Sequence, residues 1–510
     1  MTRLTRISIL LAGFFAADKV VAFVRTIILA RQFGLSKELD AFNIANNLPD
    51  LLFALISGGA LAMAFIPVLS QVLSTQGQSQ AWELFSRVAN LAFLVTAGLA
   101  VIMALLAGPL VRSELGIAPG FEAVQQNLVI DLMRLNLFAT LIFSISGLVM
   151  ASLQANQHFL LPAIAPLLYN LGQIFGALIL SPEQGYTIAG VTLPAFGMGV
   201  HGLVYGVILG AWLHLAIQIP ALLHYKFRWT PGFGLNSAPV RQVLRLMGPR
   251  LATMLMIQLI FLVRDNLASR LDDGAVSALT YGWMIMQVPE TLIGTAIGTA
   301  LLPTLSEMMA KQDREAFQQT IQRALRVLIG ITLPVSFVLA AGLGPLLSVA
   351  FDFGPAGTQL LLWVTRGFLL GLVGHSMMEV ASRSFYARQD AITPLVTAGI
   401  NLLVYVVLGS FLFRQFGAPG ISLTDSLAFT SQALLLLALL NRQLITRLSP
   451  GSTVIRAILA AALGGGLVFL VSLTPLAARQ PVIMALIALA IGGGIALLPV
   501  LKEVRLLLRL

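Results

Sequence analysis

Cysteine is absent from the 510 residues, and charged residues make up only 10% of them. Without cysteine the chain can form no disulfide, no thiolate nucleophile and no cysteine-ligated metal site. The five histidines are scattered and show no HxxxH or HExxH spacing, which argues against a zinc site. GxSxG motifs, Walker A motifs and a long extramembrane loop with paired carboxylates are also lacking, so we expect no catalytic residues, no enzyme activity and no ATP-driven mechanism within this chain.

Apolar residues, by contrast, make up 58% of the chain, which indicates that lipid surrounds most of it. The apolar blocks have the length of about 20 residues that a helix needs to cross a membrane. The sequence therefore predicts an all-α, polytopic membrane protein with about fourteen transmembrane helices. The predicted helices are 7–30, 48–73, 88–111, 128–153, 159–181, 200–224, 246–269, 279–308, 327–351, 359–386, 393–413, 420–440, 452–474 and 481–501.

The distribution of basic residues predicts the orientation, because Lys and Arg are retained in cytoplasmic loops. With an even number of helices, both termini lie on one side. If that side is the cytoplasm, eighteen of the 31 Lys and Arg lie in cytoplasmic segments and six in the opposite loops. We therefore expect both termini to be cytoplasmic, and an apolar run that continues past Lys19 favours an uncleaved first helix over a signal peptide. The other seven basic residues lie within or at the ends of helices, where function is to be sought.

The sequence also contains an internal repeat. GGALAMAFIPVLS (58–70) matches GTAIGTALLPTLS (294–306), NLPDLL (47–52) resembles QVPETL (287–292), and FVRTIILAR (23–31) resembles LVRDNLASR (262–270). Six predicted helices separate the copies, so both copies run in the same direction, as in transporters whose halves are related by an axis along the membrane normal. We predict a six-helix bundle over 1–225, a cytoplasmic linker over 226–245, a second six-helix bundle over 246–441 and two additional helices over 442–510.

Several stretches, taken in order, resemble one known family. VRTIILARQFG, LDAFNIANNLPDLL, SLQANQHFLLPAIAPLLYN (152–170), ALLPTLS (300–306) and FYARQDAITPL (385–395) are similar to the MurJ/MviN family of lipid II flippases, within the multidrug/oligosaccharidyl-lipid/polysaccharide exporter superfamily. The resemblance covers nearly the whole chain. It implies a transporter that carries the undecaprenyl-pyrophosphate-linked peptidoglycan precursor across the bacterial inner membrane by alternating access, with the last two helices forming a groove for the lipid tail.

Two alternatives to lipid II transport stay open at this point. The first alternative is an exporter of another polyprenyl-linked glycan or of a small amphipathic solute. The second is a membrane scaffold that transports nothing. In each case we expect a monomer whose partners are membrane lipids and its lipid-linked substrate, and we expect no nucleic acid partner and no organic cofactor.

Three charges in the first predicted helix are the strongest candidates for a site, because ionisable groups inside a membrane are costly and usually face a cavity or a partner. Asp18 and Arg25 are seven residues apart and share a face, about 10 Å from each other, whereas Lys19 points elsewhere. Lys19 and Arg25 are predicted to attract the pyrophosphate of the substrate, a role that the resemblance supports. The alternative is a structural cluster in which Asp18 neutralises a neighbouring cation.

The chain departs from the family pattern in the two predicted helices that carry the repeat, 48–73 and 279–308. The resemblance places an essential arginine and an acid at positions that are Met284 and Gln287 here, and further cations at Phe53 and Ala54. Arg264, the repeat mate of Arg25, is our candidate replacement for the missing cation. We expect it to be available for this role, because Asp265 is its neighbour in sequence and should point about 100° away rather than pair with it.

The resemblance suggests two further sites. Asp18 and Asp40 are candidate gating residues, and Asp40 matches an acidic position at the periplasmic mouth, although a solvated loop charge is the alternative. Asp265, Asn401 and Asp425 lie near positions where some family members bind Na⁺, and they carry the oxygen ligands that a hard cation requires. Na⁺ is therefore the one candidate coupling ion.

Two rows of polar residues favour structural roles. His375, Glu379 and Arg383 follow one another at intervals of four and share a helix face, which predicts a structural network more than a proton relay. Asp131 and Arg134 are spaced for an ion pair within one helix. The glycines of LGGGL (463–467) and IGGGI (491–495) are expected to allow close helix packing.

Overall fold

The computed structural model describes residues 3–57, 59–188, 190–444, 446–449 and 451–507. The chain forms two compact units, Met1–Leu262 and Val263–Leu510. Within the described residues the secondary structure is helical apart from one short hairpin, so the predicted all-α class is confirmed. Gly58, the first residue of one repeated segment, lies outside the described residues.

The first unit consists of helices and one antiparallel hairpin that pairs Thr187 with Thr192. Its elements are α1 (Arg3–Phe33), α2 (Lys37–Leu52), a π-helical turn (Phe53–Ser57), α3 (Gly59–Gln76), α4 (Gln78–Leu105), α5 (Ala107–Arg112), α6 (Ala123–Ala155), α7 (Leu160–Phe175), a second π-helical turn (Gly176–Leu180), β1 (Thr187–Ile188), β2 (Val191–Thr192), α8 (Val200–Ala216), α9 (Ile219–His224) and α10 (Ala238–Ala268), which continues into the second unit. A core of aliphatic and aromatic residues from α3, α4 and α6 holds this unit together.

The second unit is described as helical throughout. Its elements after α10 are α11 (Ala275–Glu290), a π-helical turn (Thr291–Thr295), α12 (Ala296–Ala310), α13 (Arg314–Gly342), α14 (Gly344–Phe351), α15 (Gly354–Leu370), α16 (Leu372–Ala387), α17 (Ile392–Asn441), α18 (Thr453–Ser472), α19 (Pro475–Arg479), α20 (Pro481–Leu497) and α21 (Leu501–Leu507). Its main core joins α12, α13, α16 and α17.

Local signals in the sequence explain where several helices begin. The Ser36 hydroxyl caps α2 by accepting a hydrogen bond from the Leu39 amide at 3.2 Å, and Asp313 caps α13 through the Ala316 amide at 2.9 Å. Acidic residues in the first turn of each helix, including Glu38 and Glu315, add a favourable interaction with the helix dipole.

Nine helical segments of the described residues are long and apolar enough to cross a membrane. One of them, α17, has 50 residues and would measure about 75 Å if it were continuous, far more than the roughly 30 Å hydrocarbon core. Gly417 interrupts it with φ 61° and ψ −140°, a conformation that glycine adopts readily. This break separates the helices predicted over 393–413 and 420–440, while the count of fourteen spans stays a prediction.

The sequence repeat has a structural counterpart in each unit. Pro49 in α2 precedes the π-helical turn Phe53–Ser57, and Pro289 in α11 precedes the turn Thr291–Thr295. Proline lacks an amide hydrogen and disturbs the regular helical ladder, and a π-helical turn is one way in which a helix absorbs such a disturbance. The two copies therefore share a backbone irregularity as well as a sequence pattern.

Helix α10 begins earlier than predicted. The expected linker over 226–245 is helical from Ala238 onward, because 238–245 carries no interior glycine or proline beyond the first turn to end a helix. The division of the chain into the two units falls within α10, between Leu262 and Val263. The division into two six-helix bundles plus two helices stays a prediction.

The glycine-rich helices pack as predicted. Gly464 of α18 and Gly492 of α20 face each other, and a Cβ added to Gly464 would come within 2.6 Å of the Gly492 carbonyl oxygen. Any larger residue at Gly464 would therefore separate α18 from α20, which confirms the predicted packing role for these two glycines. A Cβ on Gly466, Gly493 or Gly494 would meet no described atom within 4 Å, so the prediction does not hold for these three.

Candidate functional site

Asn170 on α7 joins the two charges that share a face of α1. The Arg25 guanidinium donates a hydrogen bond from Nη1 to Asn170 Oδ1 at 2.8 Å. Asn170 Nδ2 in turn donates to Asp18 Oδ1 at 2.8 Å and to the carbonyl oxygen of Pro166 at 3.2 Å. Asp18 and Arg25 are therefore linked through the amide of a third residue, and the amide fixes the direction of both charges.

Close packing between α7 and α8 brings Asn170 to this position. Gly172 of α7 lies against the backbone of Gly210, and Gly176 lies against Gly206, so that neither helix has room for a side chain at these points. The side of α7 that carries Asn170 then packs on α1. Asn170 itself is buried, whereas Arg25 and Asp18 are half-buried and Lys19 is exposed. Arg25 is thus oriented by a buried amide, whereas the exposed Lys19 can reorient.

Asp50 adds an acidic group to the same region. It follows Pro49 at the end of α2, its side chain is exposed, and its charge interacts with that of Arg25. Tyr169, the neighbour of Asn170, lies within range of both charges. The Arg25 guanidinium is therefore hydrogen-bonded to an amide that orients it and interacts electrostatically with a nearby carboxylate.

Asp40 is not a solvated loop charge, so that alternative was wrong. It lies in the first turn of α2 with only 1% of its surface exposed. Its backbone amide donates to Ser36 at 3.0 Å, and the carboxylate lies where the positive end of the helix dipole stabilises it. Its gating role stays a prediction, as does that of Asp18.

Arg264 and Asp265 pair directly, contrary to prediction. Arg264 Nε donates to Asp265 Oδ1 at 3.0 Å, and both side chains are buried, with 7% and 1% of their surfaces exposed. The prediction was wrong because it considered the directions of the Cα–Cβ bonds alone, whereas an arginine side chain is long enough to fold back on its neighbour. A substrate-binding role for Arg264 stays a prediction, and it would require this guanidinium to leave a buried partner.

The three candidate sodium ligands are all buried in the second unit. Asp425 Oδ2 bonds His375 Nε2 at 2.9 Å, and Asn401 donates from Nδ2 to Gln432 Oε1 at 2.9 Å. Asp265 Oδ2, Asn401 Oδ1 and the hydroxyl of Tyr405 have no hydrogen-bond partner among the described residues. No group of three or more His, Asp or Glu that could hold a metal occurs within the described part of the chain.

The predicted row on α16 divides into two separate contacts. Glu379 and Arg383 form an ion pair within the helix, and Arg383 also donates to Thr299 on α12. His375 instead reaches across to Asp425 on α17 and stacks on Phe429 at 4.2 Å between ring centroids. The ion pair predicted between Asp131 and Arg134 is absent from the described structure, because Arg134 Nε donates to the Ala104 carbonyl oxygen at 3.1 Å instead.

Comparison with known proteins decides the family. The family model described as lipid II flippase MurJ matches residues 29–489. This protein belongs to the MurJ family. The lipid II flippase MurJ of Burkholderia cenocepacia is 30% identical over 461 residues, which cover 88% of this chain and 86% of that protein. A probable lipid II flippase MurJ of Bdellovibrio bacteriovorus is 28% identical over 482 residues, which cover 92% of this chain and 88% of that protein.

Solved structures agree with the MurJ assignment at the level of the fold. A lipid II flippase MurJ in an inward closed conformation matches with a TM-score of 0.78 at 21% identity, covering 96% of this chain and 99% of that one. An inward-facing MATE family transporter of the MOP superfamily matches with a TM-score of 0.68 at 15% identity, covering 82% and 92%. The transporter fold of the superfamily is therefore shared, and the chain is a multi-pass protein of the inner membrane.

The family resemblance places a cation at position 53, but this MurJ family chain has a phenylalanine there. The Phe53 side chain makes aromatic contacts. Phe53, in the first π-helical turn, packs edge-to-face on Phe143 at 5.2 Å, and Phe143 packs likewise on Tyr169 at 5.0 Å. On α11, Met284 is half-buried and Gln287 is exposed. The position of Phe53 thus contributes to packing beside Asn170 and carries no charge.

Two candidate site residues were missed in the sequence, Asn170 and Asp50. Asn170 ends the motif APLLYN, where one asparagine among apolar residues is itself a signal of an intramembrane polar contact. Asp50 stands directly after the proline of NLPDLL, at the position of Glu290 in the repeat. The acids Asp50 and Glu290 at matching positions of the repeat could have indicated that Asp50 belongs to the site.

Proposed function

We propose that this MurJ family protein flips lipid II, the undecaprenyl-pyrophosphate-linked peptidoglycan precursor, across the cytoplasmic membrane by alternating access. The observation that carries the proposal is the anchored guanidinium of Arg25 on α1. Asn170 holds one of its nitrogens, and the exposed ammonium of Lys19 lies on the same helix. A guanidinium with a fixed direction loses little entropy when it binds two oxygens of a pyrophosphate, and Lys19 adds a flexible second charge.

Transport of lipid II requires little chemistry beyond reversible binding of its pyrophosphate. Flipping breaks no covalent bond, so the site needs only to hold the charged head group in one state and release it in the other. Asp18 and Asp50 supply negative charge near Arg25, which weakens the hold on a phosphate and so favours release. We propose that the protein acts as a monomer without enzymatic activity, with both termini in the cytoplasm and with the bilayer and the lipid-linked substrate as its partners.

A carrier of another undecaprenyl-pyrophosphate-linked glycan is the second candidate. The uncharged Phe53, Ala54 and Met284 favour it, because a site with fewer cations binds a pyrophosphate less firmly. The shared feature of both candidates is the pyrophosphate, and they differ in the sugar and peptide that accompany it.

We also propose Na⁺ as the coupling ion, with Asp265, Asn401 and Asp425 as its ligands. The unpartnered, buried oxygens Asp265 Oδ2 and Asn401 Oδ1 suit a hard cation, and the Tyr405 hydroxyl one turn from Asn401 suits it too. Bound Na⁺ would neutralise buried negative charge and so favour the conformation that retains it. A sodium gradient should accelerate flipping in proteoliposomes several-fold; the same rate in choline buffer would contradict the proposal.

The experiment that tests the main proposal is complementation of a bacterium depleted of its own lipid II flippase. The wild-type chain should restore growth, and Arg25→Ala should abolish the rescue at equal membrane abundance. Arg414→Ala is the matched control, because Arg414 is an exposed arginine of α17 that packs on Phe413. If the wild-type chain reaches the membrane and fails to rescue, flipping assays with other undecaprenyl-pyrophosphate-linked glycans test the second candidate.

A further inference from the structure

The outer part of the second unit contains a groove with a single charged residue. A cavity of about 490 Å³ lies between α13, α15 and α18, within the size range of ligand sites. Its walls include Phe337, Trp363 and Phe469, each about half exposed, and Gly465 and Gly466 contribute to its floor. Arg366 is the one charged residue among the described residues that line it.

Arg366 has no acidic partner among the residues that the structure describes. Its Nε donates to the Ala340 carbonyl oxygen at 2.8 Å, and its guanidinium carbon lies 4.9 Å from the centre of the Trp363 ring. These contacts orient the guanidinium, yet they leave its charge uncompensated. A charged residue within a membrane span normally faces a partner or a functional site, so the missing partner here points to a ligand.

The position of Arg366 along the span suits a lipid phosphate. Arg366 is twelve residues after Gly354, about 18 Å along a helical segment that continues to Ala387 and is longer than the bilayer core. The α18 residues that line the groove run from Ala461, near the middle of the helix, to Phe469, close to its end at Ser472. An arginine at this depth can extend its charged end toward the head-group region while its aliphatic part stays in the apolar layer.

The floor of the groove suits an acyl chain. A Cβ on Gly465 would come within 3.2 Å of Phe337, so this glycine allows α18 to approach α13. A Cβ on Gly466, by contrast, would meet no described atom within 4 Å, so the space beside it is open. Alanines complete the lining, which leaves an open apolar groove next to one cation.

We propose that this groove binds an anionic phospholipid of the surrounding bilayer. The phosphate of the lipid accepts hydrogen bonds from Nη1 and Nη2 of Arg366, and one acyl chain lies over Gly466 between Phe337 and Phe469. With the predicted orientation this lipid belongs to the outer leaflet. Charge complementarity selects an anionic lipid over a zwitterionic one, because the positive group of a zwitterionic lipid finds no carboxylate in the described lining.

The test uses native mass spectrometry on the full-length protein in detergent, with added phosphatidylglycerol or phosphatidylcholine. We expect tighter binding of phosphatidylglycerol and a loss of about tenfold in its affinity for Arg366→Gln, the effect of removing a hydrogen bond to a charged group. Arg414→Gln, which removes an exposed arginine of α17 outside the groove, should leave the affinity unchanged. Equal affinity for the two lipids, or wild-type affinity in Arg366→Gln, would overturn the proposal.

Two further arms keep the test decisive. Gly466→Leu fills the floor without touching the charge and should weaken phosphatidylglycerol binding; if Arg366→Gln does not fold, unchanged binding in Gly466→Leu overturns the proposal. Inorganic phosphate should not displace the lipid, because it has no acyl chain that could pack in the apolar groove. Full displacement by phosphate at equal concentration would identify a simple anion site instead, and displacement by lipid II alone would assign the groove to the substrate.

Discussion

Asn170 accepts a hydrogen bond from Arg25 at 2.8 Å, although the two residues lie 145 positions apart in the chain. This hydrogen bond fixes the direction of the Arg25 guanidinium on α1. Asp18 lies two turns from Arg25 on α1, and the amide of Asn170 bridges the two side chains. The guanidinium is therefore oriented in part by a neutral amide, which adds no charge of its own to the acidic groups nearby.

Replacement of Asn170 should impair transport without unfolding the protein. Asn170→Ala removes the amide that orients Arg25, and we expect flipping of lipid II to slow by roughly tenfold, because hydrogen bonds to charged groups are worth more than neutral ones. A fluorescence assay of lipid II flipping in proteoliposomes measures the rate. Gln173→Ala, on the same helix one turn later, is the control and should keep most of the activity; equal loss in both variants would assign the effect to helix packing.

Removal of the charge of Asp50 should strengthen substrate binding. Asp50→Asn removes a carboxylate whose charge interacts with that of Arg25, so the affinity for lipid II should rise by roughly fivefold, because the Asp50 side chain is exposed and the coupling of exposed charges is weak. Direct binding measurements on the purified protein check this. The control is Asp131→Asn, which removes an exposed acid of α6; a fall in affinity for Asp50→Asn would show that Asp50 contacts the substrate itself.

The buried pair of Arg264 and Asp265 should behave as a structural unit. Arg264→Ala leaves an uncompensated charge at Asp265, which costs on the order of 3–5 kcal/mol of stability in comparable buried pairs. The double variant Arg264→Ala with Asp265→Ala should be more stable than Arg264→Ala alone. Thermal unfolding of the four proteins in detergent measures the coupling. If Arg264→Ala abolishes flipping while its melting temperature stays at the wild-type value, Arg264 is a substrate cation as first predicted.

The C-terminal helix α21 should show a stability that depends on pH through Glu503. Burial acts to raise the pKa of this carboxyl, but hydrogen bonds from Arg456 and Thr453 outweigh it and lower the pKa below the usual 4.5. A carboxyl with a lowered pKa stabilises the fold above its unfolded-state pKa and loses that contribution as the pH falls through the folded-state value. The stability difference between the wild type and Glu503→Gln should thus be full at pH 7 and shrink below about pH 4.5.

Melting temperatures of the wild type and Glu503→Gln between pH 7 and pH 3 provide the measurement for α21. Glu315→Gln serves as the control, because its side chain is exposed at the start of α13. A difference between wild type and Glu503→Gln that stays constant over this range would show that the ion pair with Arg456 contributes nothing to the fold.

Sequence patterns gave their most accurate predictions for features that depend on residues close together in the chain. The all-α class, the break near Gly417, the repeat around Pro49 and Pro289, and the packing role of Gly464 and Gly492 all follow from residue types at close spacing. Predictions about which side chains meet were less accurate. Arg264 was expected to avoid Asp265, and Arg134 was expected to pair with Asp131, because helix geometry alone does not include the bending of a long side chain.

The sequence by itself determined that this chain spans a membrane, that its two halves repeat one pattern, and that its unusual charges lie in the first helix, since hydropathy, proline and charge act locally. Only the tertiary structure decided that Asn170 holds Arg25, that the charge of Asp50 lies near that of Arg25, and that Arg366 faces an open groove. These contacts join helices that are distant in sequence. They depend on the rotation and separation of packed helices, which glycines such as Gly172 and Gly210 set through distances that no linear pattern contains.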